Sequence, residues 1–331
     1  MRSLGEYIKE SLLDDEDVIA SDFERKVAHK KINEFLLKNY YMPQKYSISD
    51  ETVDGKYVVN CSGDVELKKD IANLTDKSFV FGVVDGDFIC SGKSRLKSLE
   101  GSPREVHAFL CSGLKSLTSL KGSPKKVRST FMCEGCLKLE SLEGAPQDVF
   151  TFDCGECKSL KTLKGSPKRL AGGFHCGGCI SLTTLKDGPE YVGENFSCVR
   201  NVKLSSLEGS PRHVGGVFAC GGCDSLTNLV GSPEHVGKTY NCNSCKSLIS
   251  LEGCTQHVGD HFACNSCKLL KSLKGSPQSI GKNFNCSECD SLTSFEGVTP
   301  QIPGILYCDL KLMRKSNPRD YSNVGMRVQG D

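Results

Sequence analysis

Residues 218–239 read FACGGCDSLTNLVGSPEHVGKT, and an aromatic residue then returns at Tyr240. By residue type the unit is F-x-C-x-x-C-x-S-L-x-x-L-x-G-S-P-x-x-V-G-x-x. Its aromatic anchor recurs at Phe88, Phe109, Phe131, Phe152, Phe174, Phe196, Phe218, Tyr240, Phe262 and Phe284, and Leu306 holds the place in a last, degenerate turn. The intervals are 21, 22, 21 and then 22 seven times. A fixed period of this length is the signature of a solenoid, in which each unit buries its apolar face only by stacking on the next.

Spacing inside the unit predicts the course of one coil. Phe218 and Cys220 are two apart, so a strand turns both inward and turns Val217 and Ala219 outward. Cys223, Leu226 and Leu229 follow at threes, which suits a chain turning around a core. Gly231-Ser232-Pro233 forces another bend, and Val236 returns inward. Stacked at the strand spacing of about 4.8 Å, these groups become ladders. The expected fold is a β-rich solenoid of about ten coils over residues 88–312.

The N-terminal region reads differently. Residues 1–43 are expected to be helical. A short helix over 3–13 places Leu4, Tyr7, Ile8 and Leu12 on one side, and the acids at 14–17 form a solvated break. A second helix over 21–39 carries the stripe Phe23, Val27, Ile32, Phe35 and Leu36. Pro43 follows the aromatic pair Tyr40-Tyr41, which is expected to pack on the solenoid end. Residues 44–87 read as an atypical β capping segment: 45–49 and 56–61 alternate around the turn signal Asp54-Gly55, and Val59-x-Cys61 imitates the anchor motif. Residues 313–331 are a C-terminal tail.

The unit resembles a leucine-rich repeat. Phe-x-Cys-x-x-Cys stands where that family has Leu-x-Leu-x-x-Asn/Cys, and one coil uses Asn itself, Phe196-Ser197-Cys198-Val199-Arg200-Asn201. It is most similar to the bacterial BspA-type repeats, which share the run C-x-S-L-T-S-L. The resemblance implies the solenoid architecture. It departs from common members in the Cys at the central strand position and in the G-S-P turn.

The chain has 331 residues, 20 Cys and a net charge of +2. Residues 1–87 are acidic, with 12 basic and 18 acidic side chains, and the remainder is mildly basic. The first Cys of the unit occurs in all eleven turns, and the second in seven: Cys136, Cys157, Cys179, Cys223, Cys245, Cys267 and Cys289. Paired C-x-x-C at this recurrence is a zinc spacing. The alternative metal reading takes Cys133, Cys136, Cys154, Cys157, Cys176, Cys179, Cys220, Cys223, Cys242, Cys245, Cys264, Cys267, Cys286 and Cys289. Against it, the pairs follow the solenoid period, their number is odd, and Lys93, Leu114, Asn201 and Lys311 replace the second Cys. A buried thiol ladder is the favoured reading, and no cofactor is expected.

His213, His235 and His257 share one repeat position and should stack about 5 Å apart. The position also holds Glu105, Lys126, Asp148, Arg169, Tyr191 and Ser279, so it reads as a solvated edge. Basic residues after the Pro (Arg104, Lys125, Lys126, Lys168, Arg169, Arg212) are broken by Glu105, Asp148, Glu190 and Glu234. Nucleic-acid binding wants a continuous basic face with aromatics, so it is not expected. No G-x-x-x-x-G-K, H-E-x-x-H or G-x-S-x-G occurs, and the chain is read as a non-enzyme.

The start, MRSLGEYIKESLLDDEDV, lacks the apolar core of a signal peptide, and no run approaches the roughly 20 residues of a membrane span. The expectation is a cytoplasmic protein with free thiols. Residues 1–10 also resemble the targeting peptides of internal head proteins in large tailed phages, through Arg2, Ser3, Tyr7, Ile8 and Glu10. That resemblance implies cleavage after Glu10 and delivery into a host, with the host cytoplasm as location. The preferred function is a non-enzymatic scaffold that binds a protein partner through outward strand positions flanking the anchors: Thr130, Thr151, Asp153, His175, Asn195, Thr239, Asn241, His261, Asn283 and Asn285.

Overall fold

The computed structural model describes residues 4–316, with side chains from residue 21 onward. Eleven anchor strands, from Phe88–Ile89 to Leu306–Tyr307, stack in parallel. They pair in exact repeat register: Phe174 opposes Phe196, Phe196 opposes Phe218, and Phe218 opposes Tyr240. The fold is the expected leucine-rich-repeat-like solenoid, of about eleven coils.

A second parallel ladder carries the inward aliphatic residue that follows the bend, Val in most coils and Leu170 or Ile280 in two. Val84 opposes Val106, and Val106 opposes Val127. From Arg169–Leu170 to Ser279–Ile280 this position forms its own six-stranded sheet. In Lys126–Met132 and Asp148–Asp153 both strands of a coil merge into one, joining the ladders there.

The core between the ladders is made of repeated rungs. All ten aromatic anchors, the paired Leu and the Val of each coil are buried. From Phe88 to Phe218 the rings lie nearly parallel, with centroids 5.2–5.7 Å apart. Tyr240 breaks that order and tilts 43° from Phe218. A buried phenol needs a polar partner, and Tyr240 finds the Ser232 hydroxyl at 2.8 Å.

Two glycine positions set the coil spacing. Gly144, in the bend after the second Leu, has φ +92°, and a Cβ there would lie 2.4 Å from the Lys121 nitrogen. Gly215, after the inward Val, would put a Cβ 2.1 Å from the Gly193 carbonyl oxygen. A side chain at either place would push neighbouring coils apart.

The N-terminal cap differs in detail from expectation. One helix, α1 (Leu4–Asn39), replaces the two expected, so the acids at 14–17 lie inside a helix rather than at a break. Glu and Asp are compatible with a helix interior, and no Gly or Pro interrupts them. Ile32 and Leu36 are buried against the first coils, whereas Phe23 is 68% exposed and Val27 lies at the surface. The expected stripe is therefore only half used.

After α1, strand β1 (Tyr40–Tyr41) pairs antiparallel with β4 (Val65–Leu67). Strands β2 (Tyr46–Val53) and β3 (Lys56–Cys61) form a hairpin closed by Asp54 and Gly55, both at positive φ. That geometry is the hairpin turn that Asp-Gly favours. Strand β5 (Phe79–Val84) continues β3 into the Val ladder.

The register of the cap corrects one reading. Val65, not Val59, opposes Phe88 and takes the anchor place. Cys61 opposes Val84 and sits on the Val ladder instead. Tyr40 covers the end of the ring stack, 5.5 Å from Phe81 and 6.0 Å from Phe88, and its hydroxyl donates to the Leu74 carbonyl. Tyr41 stays exposed under the Lys68 ammonium. At the far end α2 (Leu310–Lys315) buries Leu312 over the last coil. The tail was expected to begin at 313; residues 317–331 lie outside the described residues.

Candidate functional site

Three columns of side chains run along the outer face of the anchor sheet. One precedes the anchor, one follows it, and one lies between the two Cys positions. The second column reads Ile89, Leu110, Met132, Asp153, His175, Ser197, Ala219, Asn241, Ala263, Asn285 and Tyr307. Its register is fixed by backbone pairing, for instance Asn241 opposite Ala263 and Ala263 opposite Asn285.

The ten residues singled out from sequence all fall on this face. Asn195 is exposed, and Thr130, Thr151, Asp153, His175, Thr239, Asn241, His261, Asn283 and Asn285 are half-buried. Six of them also hold backbone. In the column before the anchor, Asn195 Oδ1 accepts the Val217 N–H at 2.9 Å, and Asn283 Oδ1 accepts the Ile305 N–H at 2.9 Å. Thr151 Oγ1 accepts the Gly173 N–H at 3.2 Å. Each acceptor thus serves a donor exactly one coil on, where a short strand leaves an N–H without a ladder partner.

In the column after the anchor the side chains turn on themselves. Asp153, Asn241 and Asn285 accept the N–H two residues on, from Gly155, Asn243 and Ser287, at 2.9–3.0 Å. These are Asx turns, which end the strand. The His175 ring lies against Gly173, where a Cβ would come within 2.9 Å of Nε2. Sequence reasoning saw these positions only as outward. The missed signal was the Asn, Asp or Thr at −1 and +1 of an anchor, where a polar side chain can serve as a backbone partner.

The cysteines form two ladders. Every one of the twenty is a free, buried thiol. The second Cys of each pair donates to the carbonyl of the first Cys one coil earlier: Cys136 to Cys111, Cys157 to Cys133, Cys179 to Cys154, Cys223 to Cys198, Cys245 to Cys220, Cys267 to Cys242 and Cys289 to Cys264, at 3.2–3.3 Å. Asn201 fills the same place with two bonds: its Nδ2 donates to the Cys176 carbonyl, and its Oδ1 accepts the Cys179 N–H. The second Cys is thus a one-bond version of a buried Asn.

Burial pushes the Cys136 and Cys267 thiols up to about 12, and those of Cys111, Cys176, Cys242 and Cys286 well above the usual range. A metal site needs thiolates. Among the described residues no three His, Cys, Asp or Glu side chains are grouped to hold a metal ion.

Of the expected histidine column only His213 and His235 stack, on the outer side of the Val ladder. Tyr191 and His213 lie 4.8 Å apart and His213 and His235 4.7 Å apart, with rings parallel within 8°. Arg169 caps the stack 4.5 Å from the Tyr191 centroid. Burial, then the neighbouring His235, lowers the His213 pKa. His257 instead bonds the Ser279 hydroxyl at 2.7 Å. The basic stripe is partly occupied by the protein itself, since Lys168 Nζ donates to the carbonyls of Asp187 and Gly188. Lys and Glu side chains on the bends make cross-coil pairs, such as Lys164–Glu143 at 2.8 Å.

No family model matches the chain, and no curated protein matches it. Among solved structures the chain is similar to a leucine-rich repeat protein from Bacteroides ovatus, at 13% identity and a TM-score of 0.20. The match covers 87% of this chain and 99% of that one. At that TM-score the superposition carries no weight, and the fold rests on the chain's own coil register. Among the described residues no helix is long and apolar enough to cross a membrane.

Proposed function

We propose that this protein is a non-enzymatic scaffold that binds a protein partner on the outer face of the anchor sheet. One observation carries the reading. Inward positions repeat almost without variation from coil to coil, while the column after the anchor changes from Ile89 and Leu110 through Asp153 and His175 to Asn241 and Asn285. A rigid sheet with a fixed inside and a varied outside is the arrangement in which a solenoid displays a composite contact surface.

The test must avoid side chains that hold backbone. Thr130, Thr239 and His261 lie on the face and, unlike their neighbours above, make no side-chain hydrogen bond to the backbone of the described residues. The variant Thr130→Lys/Thr239→Lys/His261→Lys is expected to lose a partner that the wild type captures from host lysate, with an unchanged melting temperature. Equal capture by the variant would remove the strand face as the binding surface.

The phage reading concerns residues 1–10. Residues 1–3 lie outside the described residues, and residues 4–10 belong to α1. N-terminal sequencing of the protein from virions is its direct test: a mature chain beginning at Ser11 supports it, and an intact Met1 opposes it.

A further inference from the structure

The outward column after the anchor changes character along the solenoid. At its N-terminal end it reads Glu66, Ile89, Leu110, Met132 and Asp153 on successive rungs, each neighbour fixed by backbone pairing. Three apolar side chains stand side by side with a carboxylate at either end. From Glu66 to Asp153 the column spans about 19 Å at the strand spacing. Beyond Asp153 it carries His175, Ser197, Ala219 and Asn241, and no run of large apolar residues recurs.

Ile89, Leu110 and Met132 are half-buried. Their flanks are small, with Ala108 and Thr130 before the anchors and Ser91 and Ser112 after the first Cys. The core rungs are filled from the other side of each strand, so this row adds nothing to them. A partner that covered it would remove apolar surface from water, which favours association.

Charge around the row is one-sided. Over the coils anchored by Val65, Phe88, Phe109, Phe131 and Phe152, the three outward columns hold the carboxylates of Asp64, Glu66, Asp87, Glu134, Asp153 and Glu156. Against them stand the ammonium groups of Lys68 and Lys69, which leaves a net charge of −4. Asp87 meets the His107 ring at 2.8 Å, and the balance stays negative even with that ring protonated. Asp64 and Asp153 accept the backbone N–H groups of Asp87 and Gly155, which does not neutralise them. Among the described residues neither these two nor Glu66, Glu134 and Glu156 meet a cationic side chain. Arg128, at the margin, is held by Asp85 at 3.1 Å and Glu105 at 3.5 Å. Lys93 and Lys115 stand beyond the turn that follows each strand, outside these columns. From Phe174 onward the same columns carry only Arg200, Glu288 and Asp309 as charged residues. The acidic field is therefore confined to the coils that carry the apolar row.

We infer that this row docks an extended segment of a partner protein with a basic side chain at each end of an apolar stretch. The inference rests on the strand face being the binding surface and names the partner's chemistry. In an extended chain alternate side chains point the same way, about 6.6 Å apart. A cation, two apolar residues and a second cation on alternate positions therefore span about 20 Å, matching the separation of Glu66 from Asp153. The apolar pair lies over Ile89, Leu110 and Met132, and the cations meet the two carboxylates. An acidic segment or a nucleic acid would meet like charge there.

The probe is a fluorescent peptide of about seven residues with Arg at both ends, Leu at two alternate positions between them and Ser elsewhere. Binding is read by anisotropy at low salt, where exposed charges are least screened. One companion peptide has Glu for Arg, and another has Ser for Leu. The variant Glu66→Gln/Asp153→Asn removes the end charges, and the carboxamide at 153 keeps an oxygen for the Gly155 N–H. Met132→Gln replaces an apolar side chain with a polar one of like length. The control Glu190→Gln/Glu234→Gln makes the same change in net charge on the outer side of the Val ladder, where both side chains are exposed.

The wild type is expected to bind the Arg/Leu peptide about tenfold more tightly than either companion. Glu66→Gln/Asp153→Asn should lose most of the preference for Arg over Glu and keep that for Leu over Ser. Met132→Gln should do the reverse, and the control should keep both preferences. Equal binding of the Arg- and Glu-ended peptides, equal binding of the Leu and Ser peptides, or an undiminished preference for Arg in Glu66→Gln/Asp153→Asn would overturn the inference. If the Arg/Leu peptide shows no preference while the lysine variant of the strand face still loses its captured partner, only the basic chemistry falls. If that capture survives too, the strand-face reading falls with it.

Discussion

At the residue scale, the informative position is the second Cys of the pair. Asn201 and the cysteines above and below it perform one task, closing the turn after the anchor strand onto the preceding coil. Asn201 makes two bonds there, and a thiol makes one. Asn201→Ala should leave the buried Cys179 N–H and Cys176 carbonyl without partners, at a cost of about 1–3 kcal/mol. Cys223→Ala loses only a weak thiol donor, and about 1 kcal/mol is expected. Urea midpoints of the two variants test the order; a Cys223→Ala loss equal to that of Asn201→Ala would mean that the thiols do more than close turns. The ladder was legible in the sequence because Asn201 replaced a Cys without disturbing the period. The backbone bonds of Asn195 and Asn283 were not legible. They depend on which N–H a two-residue strand leaves unpaired, and pattern alone does not reveal strand length.

At the scale of the element, a ladder of buried thiols makes the solenoid sensitive to alkali. Burial holds the pKa of Cys136 and Cys267 at about 12, and desolvation also raises Cys111, Cys176, Cys242 and Cys286. In the unfolded chain a thiol ionises near pH 8.5. Between those values the folded state holds more protons than the unfolded one, so stability falls as pH rises. Their contribution is fully present below about pH 8.5, and each such thiol removes about 1.4 kcal/mol per pH unit above it. Urea midpoints should therefore be flat from pH 7 to about 8.5 and drop steeply beyond it, with several thiols acting together. A flat profile to pH 10 would show that the thiols are not buried as a ladder. The N-terminal cap shows where reading by element fails. Val59-x-Cys61 has the right residue types, but the hairpin with β2 places it on the Val ladder, and Val65 becomes the anchor. Residue type identifies a rung; only strand pairing identifies which ladder it belongs to.

For the whole molecule, the question is how a stack of similar coils ends. Interior coils supply one another with core, so a substitution such as Phe196→Ala should cost about 3–5 kcal/mol by emptying one place in the ring stack. The ends have a neighbour on one side only, and a solenoid needs caps to shield them. Among the described residues the two caps are unequal. The N-terminal cap buries Ile32, Leu36 and Tyr40, and β1 covers the open edge of β4. At the C-terminal end α2 buries Leu312 alone among its own residues. Deleting residues 1–43 should expose Phe79, Phe81 and an unpaired strand edge, which is a template for association. Truncation after Cys308 should expose far less. Light scattering is therefore expected to show oligomers or aggregates for the N-terminal deletion, while the C-terminal truncation remains monomeric with a modestly lower melting temperature. If the N-terminal deletion stayed monomeric at full stability, α1 would be an appendage and not a cap. Its exposed Phe23 would then be the place to look for its purpose.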